Sequence, residues 1–180
     1  MTGVLLSVQL LHAQISHDSI TAPGIKSLLK IKISSDLGFE WEKKISSVST
    51  LSIFGGMSFG RESNDYADTK ASIIASPDIF AEYRNYYNIH KRRLRNKITR
   101  NNAADFLFGR AESVFAVKNK NSFNFLLIQG WGIQRNIGRK IMISYQAGIV
   151  EHFYFDKPVT GGFNVVKIEP MNNLSVIFAF

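Results

Sequence analysis

The chain has 180 residues, with 22 Lys and Arg against 14 Asp and Glu, and a formal net charge of +8. Hydrophobic residues make up 45% of it, too many for a disordered tail, and the length fits a single domain. The absence of cysteine excludes a disulfide framework, a Cys-ligated zinc site and a thiol nucleophile. No apolar run approaches the ~20 residues of a membrane helix, so a helical membrane protein is excluded as well.

The first thirteen residues have the pattern of a secretory signal peptide. An apolar stretch from Val4 to Leu11 is followed by Ala13, a small residue of the kind that signal peptidase prefers. No Lys or Arg precedes Lys26, which is unusual for such a segment, and an ordinary N-terminal strand or helix is the alternative. We expect a signal peptide over residues 1–13 and one mature domain over residues 14–180, folded outside the cytoplasm.

The rest of the chain alternates between apolar and polar residues with a period of two, which is typical of half-buried strands. The alternation predicts eight strands, over residues 26–34, 36–45, 48–61, 71–89, 104–118, 122–135, 141–155 and 173–180. Residues 118–121 and 136–138 have the composition of tight hairpin turns. Longer connections are expected over residues 62–70, 90–102 and 156–169, and no helix of ordinary length is required.

The polar face of these strands carries charges of both signs at mid-strand, together with glycines. Small residues fit the interior of a narrow eight-stranded cylinder, and most aromatic residues lie near strand ends on the apolar face, like the interfacial girdles of membrane barrels. We therefore predict an all-β, eight-stranded antiparallel up-and-down transmembrane β-barrel over residues 14–180. A soluble lipocalin-like barrel that binds a small ligand is the alternative. The predicted lumenal polar network is Lys30, Lys32, Glu40, Glu42, Lys44, Glu82, Arg84, Arg110, Glu112, Gln146 and His152.

The end of the chain resembles the terminal strand of bacterial outer-membrane β-barrels. That resemblance rests on Leu174, Val176, Phe178 and Phe180 at alternate positions. Three further segments are similar to a small outer-membrane barrel family common in the Bacteroidota: GFEWEKKI (38–45), EYRNYYN (82–88) and NNAADF (101–106). The resemblance implies location in the outer membrane, contact with outer-membrane lipid, and recognition of the last strand by the barrel assembly machinery. It brings no catalytic residues.

A basic tract lies in the fourth connection and supplies six positive charges without an acid: Lys91, Arg92, Arg93, Arg95, Lys97 and Arg100. Beside tyrosines, such a tract suggests nucleic-acid binding in a cytoplasmic protein, but export of the chain excludes that partner. With both chain termini in the periplasm, the topology puts the tract on the periplasmic side. There it is a solvated turn at the interface, or contacts inner-leaflet phospholipid or a periplasmic partner. A register error of one strand would move it outside, against lipopolysaccharide.

The chemistry-bearing residues favour a role other than catalysis. The four histidines lack metal-ligand spacing, and no cofactor motif is present. The sharpest enzymatic alternative is an outer-membrane lipid-modifying hydrolase that uses His152, Ser144 and Glu151. We expect instead a structural, adhesive or interaction role, carried by the connections 62–70 and 156–169. Paired charges that fill the lumen are expected to block conduction, although a narrow channel remains an alternative.

Overall fold

Eight antiparallel strands close into one barrel in the computed structural model of the protein, which describes residues 26–62, 72–115, 123–154 and 164–180. The expected signal peptide, the turn at 118–121 and most of the connections 62–70 and 156–169 lie outside these residues. The strands are β1 (Ser27–Ile33), β2 (Asp36–Lys44), β3 (Ser49–Glu62), β4 (Ser72–Asn85), β5 (Asp105–Phe115), β6 (Phe123–Asn136), β7 (Ile141–Tyr154) and β8 (Asn164–Ala179).

Each strand pairs with the next along the chain, and β1 pairs with β8 to close the cylinder. The closing register runs from Lys30 opposite Ala179 to Ile33 opposite Val176. The predicted all-β, eight-stranded, antiparallel up-and-down barrel is therefore confirmed. We call the end where β1 begins and β8 finishes the lid end, and the opposite end the distal end.

The connection between β4 and β5 differs from the prediction, because it contains a short helix, α1 (Ile89–Leu94), and a 3-10 turn, Arg100–Asn102. The predicted fourth strand, 71–89, was too long: pairing with β3 stops at Asn85. Beyond the barrel rim the backbone has no further strand to pair with, so its polar groups are satisfied within a helical turn instead.

Within the described residues, no helix combines the length and apolar character needed to cross a bilayer.

The last strand also differs, because β8 begins at Asn164 and not at the predicted residue 173. Pro170, Asn172 and Asn173 interrupt the apolar alternation of this strand, which hid its first half in the sequence. The backbone nevertheless pairs with β7 from Tyr154 opposite Asn164 onwards, with an irregularity between His152 and Phe153. The hairpin after Asn136 is as expected: the amide of Ile137 donates to the Ile141 carbonyl at 3.0 Å.

The two faces of the barrel wall have opposite polarity. The even-numbered side chains that the structure describes on β1 to β7 point inward, and Lys30, Glu40 and Glu82 among them are 0% exposed. Odd-numbered side chains point outward and are mostly large and apolar; Trp41 is 45% and Ile79 48% exposed. This is the reverse of a soluble barrel, which buries its apolar face and shows its polar face to water.

Aromatic rings fill the rest of the interior, in the space that inward-facing glycines leave open. Phe54 stacks on Phe80 with 4.6 Å between ring centroids. The Phe54 ring lies over inward-facing Gly38 and Gly56, where an added Cβ would be 2.6 and 2.7 Å from the ring. Large residues on one strand thus occupy the space left by glycines on another, which allows a narrow barrel to be filled by side chains.

Candidate functional site

The interior of the barrel holds a connected set of ion pairs, which we call the lumenal network. On the β1–β2 side, the Lys30 ammonium lies 3.0 Å from the Glu40 carboxylate and also contacts Glu42. Arg84 from β4 reaches across the barrel to the same two acids, at 3.1 Å from Glu40 and 3.4 Å from Glu42. Four side chains from three strands are therefore joined through shared charges.

Glu82 connects this group to the opposite wall. Its carboxylate accepts hydrogen bonds from Arg84 and, at 2.7 Å, from Nε of Arg110 on β5. Gln146 on β7 donates to both Glu82 oxygens at 3.1 and 3.2 Å and accepts from Arg110 at 2.8 Å. Glu112 completes the group at 3.4 Å from Arg110. The network thus links strands from most of the circumference.

The inward aromatic rings lie against the cations of the network. The Arg110 guanidinium is 4.1 Å from the Phe80 ring centroid, and Arg84 is 5.3 Å from that of Phe106. The Lys32 ammonium lies 5.4 and 5.2 Å from the centroids of Phe54 and Phe80. These contacts place the cations over the negative faces of the rings, which adds to the stabilisation from the carboxylates.

Towards the distal end the interior becomes acidic. Lys32 pairs with Asp36 at 3.2 Å, and Asp78 on β4 is buried. Both carboxylate oxygens of Asp78 lack a hydrogen-bond partner among the described residues. No group of three or more His, Cys, Asp or Glu within those residues could hold a metal ion.

Two residues of the predicted polar network lie away from its centre, whereas the other nine are buried inside the barrel. Lys44 is half-buried at the lid end of β2, and in the described structure its side chain joins no ion pair. His152 lies towards the distal end, partly exposed, with Nε2 at 3.3 Å from Glu169. Alternation along a strand gives the face on which a residue lies but not its height in the barrel, which explains both differences.

The proposed hydrolase residues do not converge. Ser144 and His152 both lie on β7, eight residues apart. At ~3.3 Å per residue this separates them by about 26 Å along the strand, far beyond hydrogen-bond reach. Glu151 lies on the opposite face of the strand from both, so the three do not form a catalytic triad.

The connection between β4 and β5, residues 86–104, folds against the lid end of the barrel, and we call it the lid. Gln134 of β6 donates from Nε2 to the Asn101 carbonyl at 2.7 Å, and its own backbone amide donates to the Ala104 carbonyl at 3.0 Å. Asn102 donates to Glu42, so the lid is joined to the lumenal network. The buried side chains of Ile89 and Ala104 pack in one cluster with Phe106. The lid therefore closes this end.

Asparagines give the lid its shape. Asn96, Asn101 and Asn102 all have φ values between 53° and 59°, in the left-handed region that asparagine tolerates better than most residues. Asn96 follows α1 and ends it, and the other two turn the chain into the barrel. Asn88 accepts a 2.9 Å hydrogen bond from the Asp105 amide, which joins the start of the lid to its end.

All six residues of the basic tract lie on the lid, on or beyond α1, at the same end as the start of β1 and the finish of β8. Burial, and then the nearby Arg135 guanidinium, lower the pKa of Arg92. Arginine nevertheless stays protonated at ordinary pH. The remainder of the lid end adds six more cations: Lys26, Lys43, Lys44, Arg135, Arg139 and Lys140. One exposed face of the molecule thus carries most of its positive charge.

The residues of the C-terminal signature lie on the outer face of β8. Leu174, Val176 and Phe180 are exposed and Phe178 is half-buried. The Lys140 ammonium is 5.6 Å from the Phe180 ring centroid, at the lid-end rim. The apolar side of the last strand is therefore on the outer surface of the barrel.

Several residues of the interior were not among the predicted sites, including Asp36, Asp78, Gln134, Asn101 and Asn102. Asp36, Asp78 and Gln134 have the even parity of the inward face, so the alternation alone predicts that they point into the barrel. Nothing in the sequence indicated that Asn101 and Asn102 enter the barrel.

Comparison with protein-family models, with characterised proteins and with solved structures finds no match to this chain.

Proposed function

We propose that this chain is a bacterial outer-membrane β-barrel whose outer face contacts lipid and whose interior is a sealed, ion-paired core. The observation that carries the proposal is the polarity of the wall. Large apolar side chains such as Phe39, Ile53 and Ile79 are exposed around the outside, while charged side chains are buried within. Soluble proteins rarely expose a contiguous apolar surface beyond a few hundred Å².

The height of the apolar surface supports the same proposal. Outward positions of β4 run from Ile73 to Tyr83 without a charged side chain. Ten residues span about 33 Å along a strand, or about 25 Å along the barrel axis at a tilt of about 40°. That height equals the apolar band of outer-membrane barrels. Trp131 and Tyr87, joined by a 2.8 Å hydrogen bond, lie at its lid-end edge, where interfacial aromatic residues belong.

A ligand-carrying soluble barrel would instead line its interior with large apolar and aromatic side chains around a cavity. Here Lys30, Arg84 and Arg110 share that interior with their carboxylates. The paired charges and the lid favour a barrel that neither stores a small apolar ligand nor conducts. We therefore propose a structural, adhesive or interaction role carried by connections at the distal end, with no catalytic step.

The sequence resemblance to small barrels of the Bacteroidota supports the same cellular setting. In this proposal the outward Leu174, Val176 and Phe180 are read by the barrel assembly machinery during insertion. Outer-membrane lipid then surrounds the apolar face. Nucleic acid is not a partner of an exported chain.

The proposal is tested by placing a charge on the outer face. Ile79 lies near the middle of the apolar band, and an arginine at the bilayer midplane costs about 2–4 kcal/mol of folding free energy. We expect Ile79→Arg to weaken folding into lipid vesicles by that amount, measured by urea titration and heat-modifiable gel migration. Leu94→Arg is the matched control, because Leu94 is 87% exposed on the lid, outside the band. A soluble barrel would tolerate both changes equally, and that result would refute the proposal.

A further inference from the structure

A groove at the lid end combines apolar and cationic side chains. It lies between the lid and the β6–β7 hairpin, has a volume of about 270 Å³, and is lined by Ile98, Arg100, Asn136, Ile137, Gly138 and Arg139. Ile98 is 66% and Ile137 65% exposed, although both are large and apolar. Two exposed isoleucines beside two arginines form a surface suited to an amphiphilic anion.

The two arginines of the groove have no acidic partner in the described part of the chain. Among the described residues, neither Arg100 nor Arg139 has a carboxylate within ion-pair distance. Asp105, a partly buried acid at this end, is already bound by Arg135. A guanidinium offers a planar pair of donors that matches phosphate oxygens, and no carboxylate of the described residues occupies those donors in Arg100 or Arg139.

The groove adjoins the apolar outer face. Arg139 is followed by Lys140, whose ammonium lies over Phe180, and by Ile141, the first outward apolar residue of β7. Asn136 fixes one wall by donating to the Arg100 carbonyl at 2.7 Å. The groove is therefore at the rim, where the apolar band ends and the basic face begins.

We propose that this groove binds the phosphate of an anionic phospholipid from the leaflet at the lid end. Arg100 and Arg139 hold the phosphodiester, and Ile98 and Ile137 contact the first carbons of the lipid chains. The inference rests on the proposed membrane location. An acidic protein or a nucleic acid would use the cations but would leave the isoleucines and the rim position unexplained, so a lipid fits the surface best.

The experiment compares two double variants that remove the same charge. Arg100→Gln with Arg139→Gln alters the groove, and Arg95→Gln with Lys97→Gln removes two cations from the same lid outside it. Each protein is refolded into phosphatidylcholine nanodiscs with and without phosphatidylglycerol, and the lipids retained on release are counted by native mass spectrometry. Heat-modifiable migration establishes first that each variant is folded.

We expect the wild-type barrel to retain phosphatidylglycerol over phosphatidylcholine. The groove variant should lose that preference about tenfold, because it lacks the two guanidinium groups that hydrogen-bond to the phosphate. The control variant should stay within about twofold, because its side chains do not line the groove. Equal loss in both variants, or no preference in the wild type, would overturn the lipid site while leaving the barrel in the membrane. Displacement of phosphatidylglycerol by inorganic phosphate at low millimolar concentration would assign the groove to free phosphate instead. Failure of the wild type to enter phosphatidylcholine nanodiscs would refute the membrane proposal itself.

Discussion

Removal of the Glu82 carboxylate is expected to destabilise the barrel strongly, because it breaks the centre of the lumenal network. Glu82 is fully buried and contacts Arg84, Arg110 and Gln146. After Glu82→Ala, Arg84 keeps Glu40 and Glu42. Among the described residues, the one acid that remains paired with Arg110 is Glu112, at 3.4 Å. A buried cation that loses its main partner typically destabilises a protein by about 3–5 kcal/mol.

Equilibrium urea unfolding of the vesicle-inserted barrel measures this loss. With a slope of about 2 kcal/mol per molar urea, the midpoint should fall by about 2 M. Glu82→Gln keeps an acceptor for Arg110, so its urea midpoint should fall by less. The control is Glu169→Ala, which removes an acid from partly exposed pairs with Lys167 and His152 and should leave the midpoint almost unchanged, because solvent screens such pairs. A Glu82→Ala midpoint no lower than that of Glu169→Ala would refute the view that the lumenal network is a fully desolvated core.

Two further changes test packing of the wall and closure by the lid. Gly130→Ala would place its Cβ against the Ala147 carbonyl oxygen and 2.7 Å from the Gly148 Cα, so we expect a loss of about 1–3 kcal/mol in the same urea assay. Gly109→Ala, with no atom within 4 Å, should be nearly neutral, and equal effects would contradict the close strand approach. Gln134→Ala removes the 2.7 Å hydrogen bond to the Asn101 carbonyl and should speed tryptic cleavage of the lid several-fold, since a buried acceptor left unpaired costs about 1–3 kcal/mol. Gln129→Ala, on the outer face of the same strand, should leave the cleavage rate unchanged; a lid cleaved equally fast in both would show that Gln134 does not hold it.

The strand architecture was predictable because it depends on alternation, a local property. Residues such as Lys30, Glu40 and Arg84 have the same parity on three strands, and the closed barrel brings them together. Lys44 and His152, the two predicted network residues that lie away from its centre, also have the inward parity. They differ from the prediction because they lie at the ends of their strands. Height in a barrel depends on the register between strands, which a single strand does not encode.

The lid was not predictable for a different reason. Its position depends on long-range contacts, such as Gln134 with the Asn101 carbonyl and Asn102 with Glu42, between residues about 30 and 60 positions apart. The basic tract itself indicates only an exposed connection. Tyr87 and Ile89 continue the odd-numbered apolar alternation of β4 beyond Asn85, and this extended the predicted strand into the start of the lid.

Contact between the outer face and lipid can be measured with the tryptophans that the chain already has. Its two tryptophans, Trp41 and Trp131, both point outward, at 45% and 37% exposure. In vesicles whose acyl chains carry bromine, we expect strong quenching of their fluorescence and little quenching by aqueous iodide. Quenching by iodide with no response to brominated lipid would show that the apolar face lies in water, and would contradict the membrane barrel.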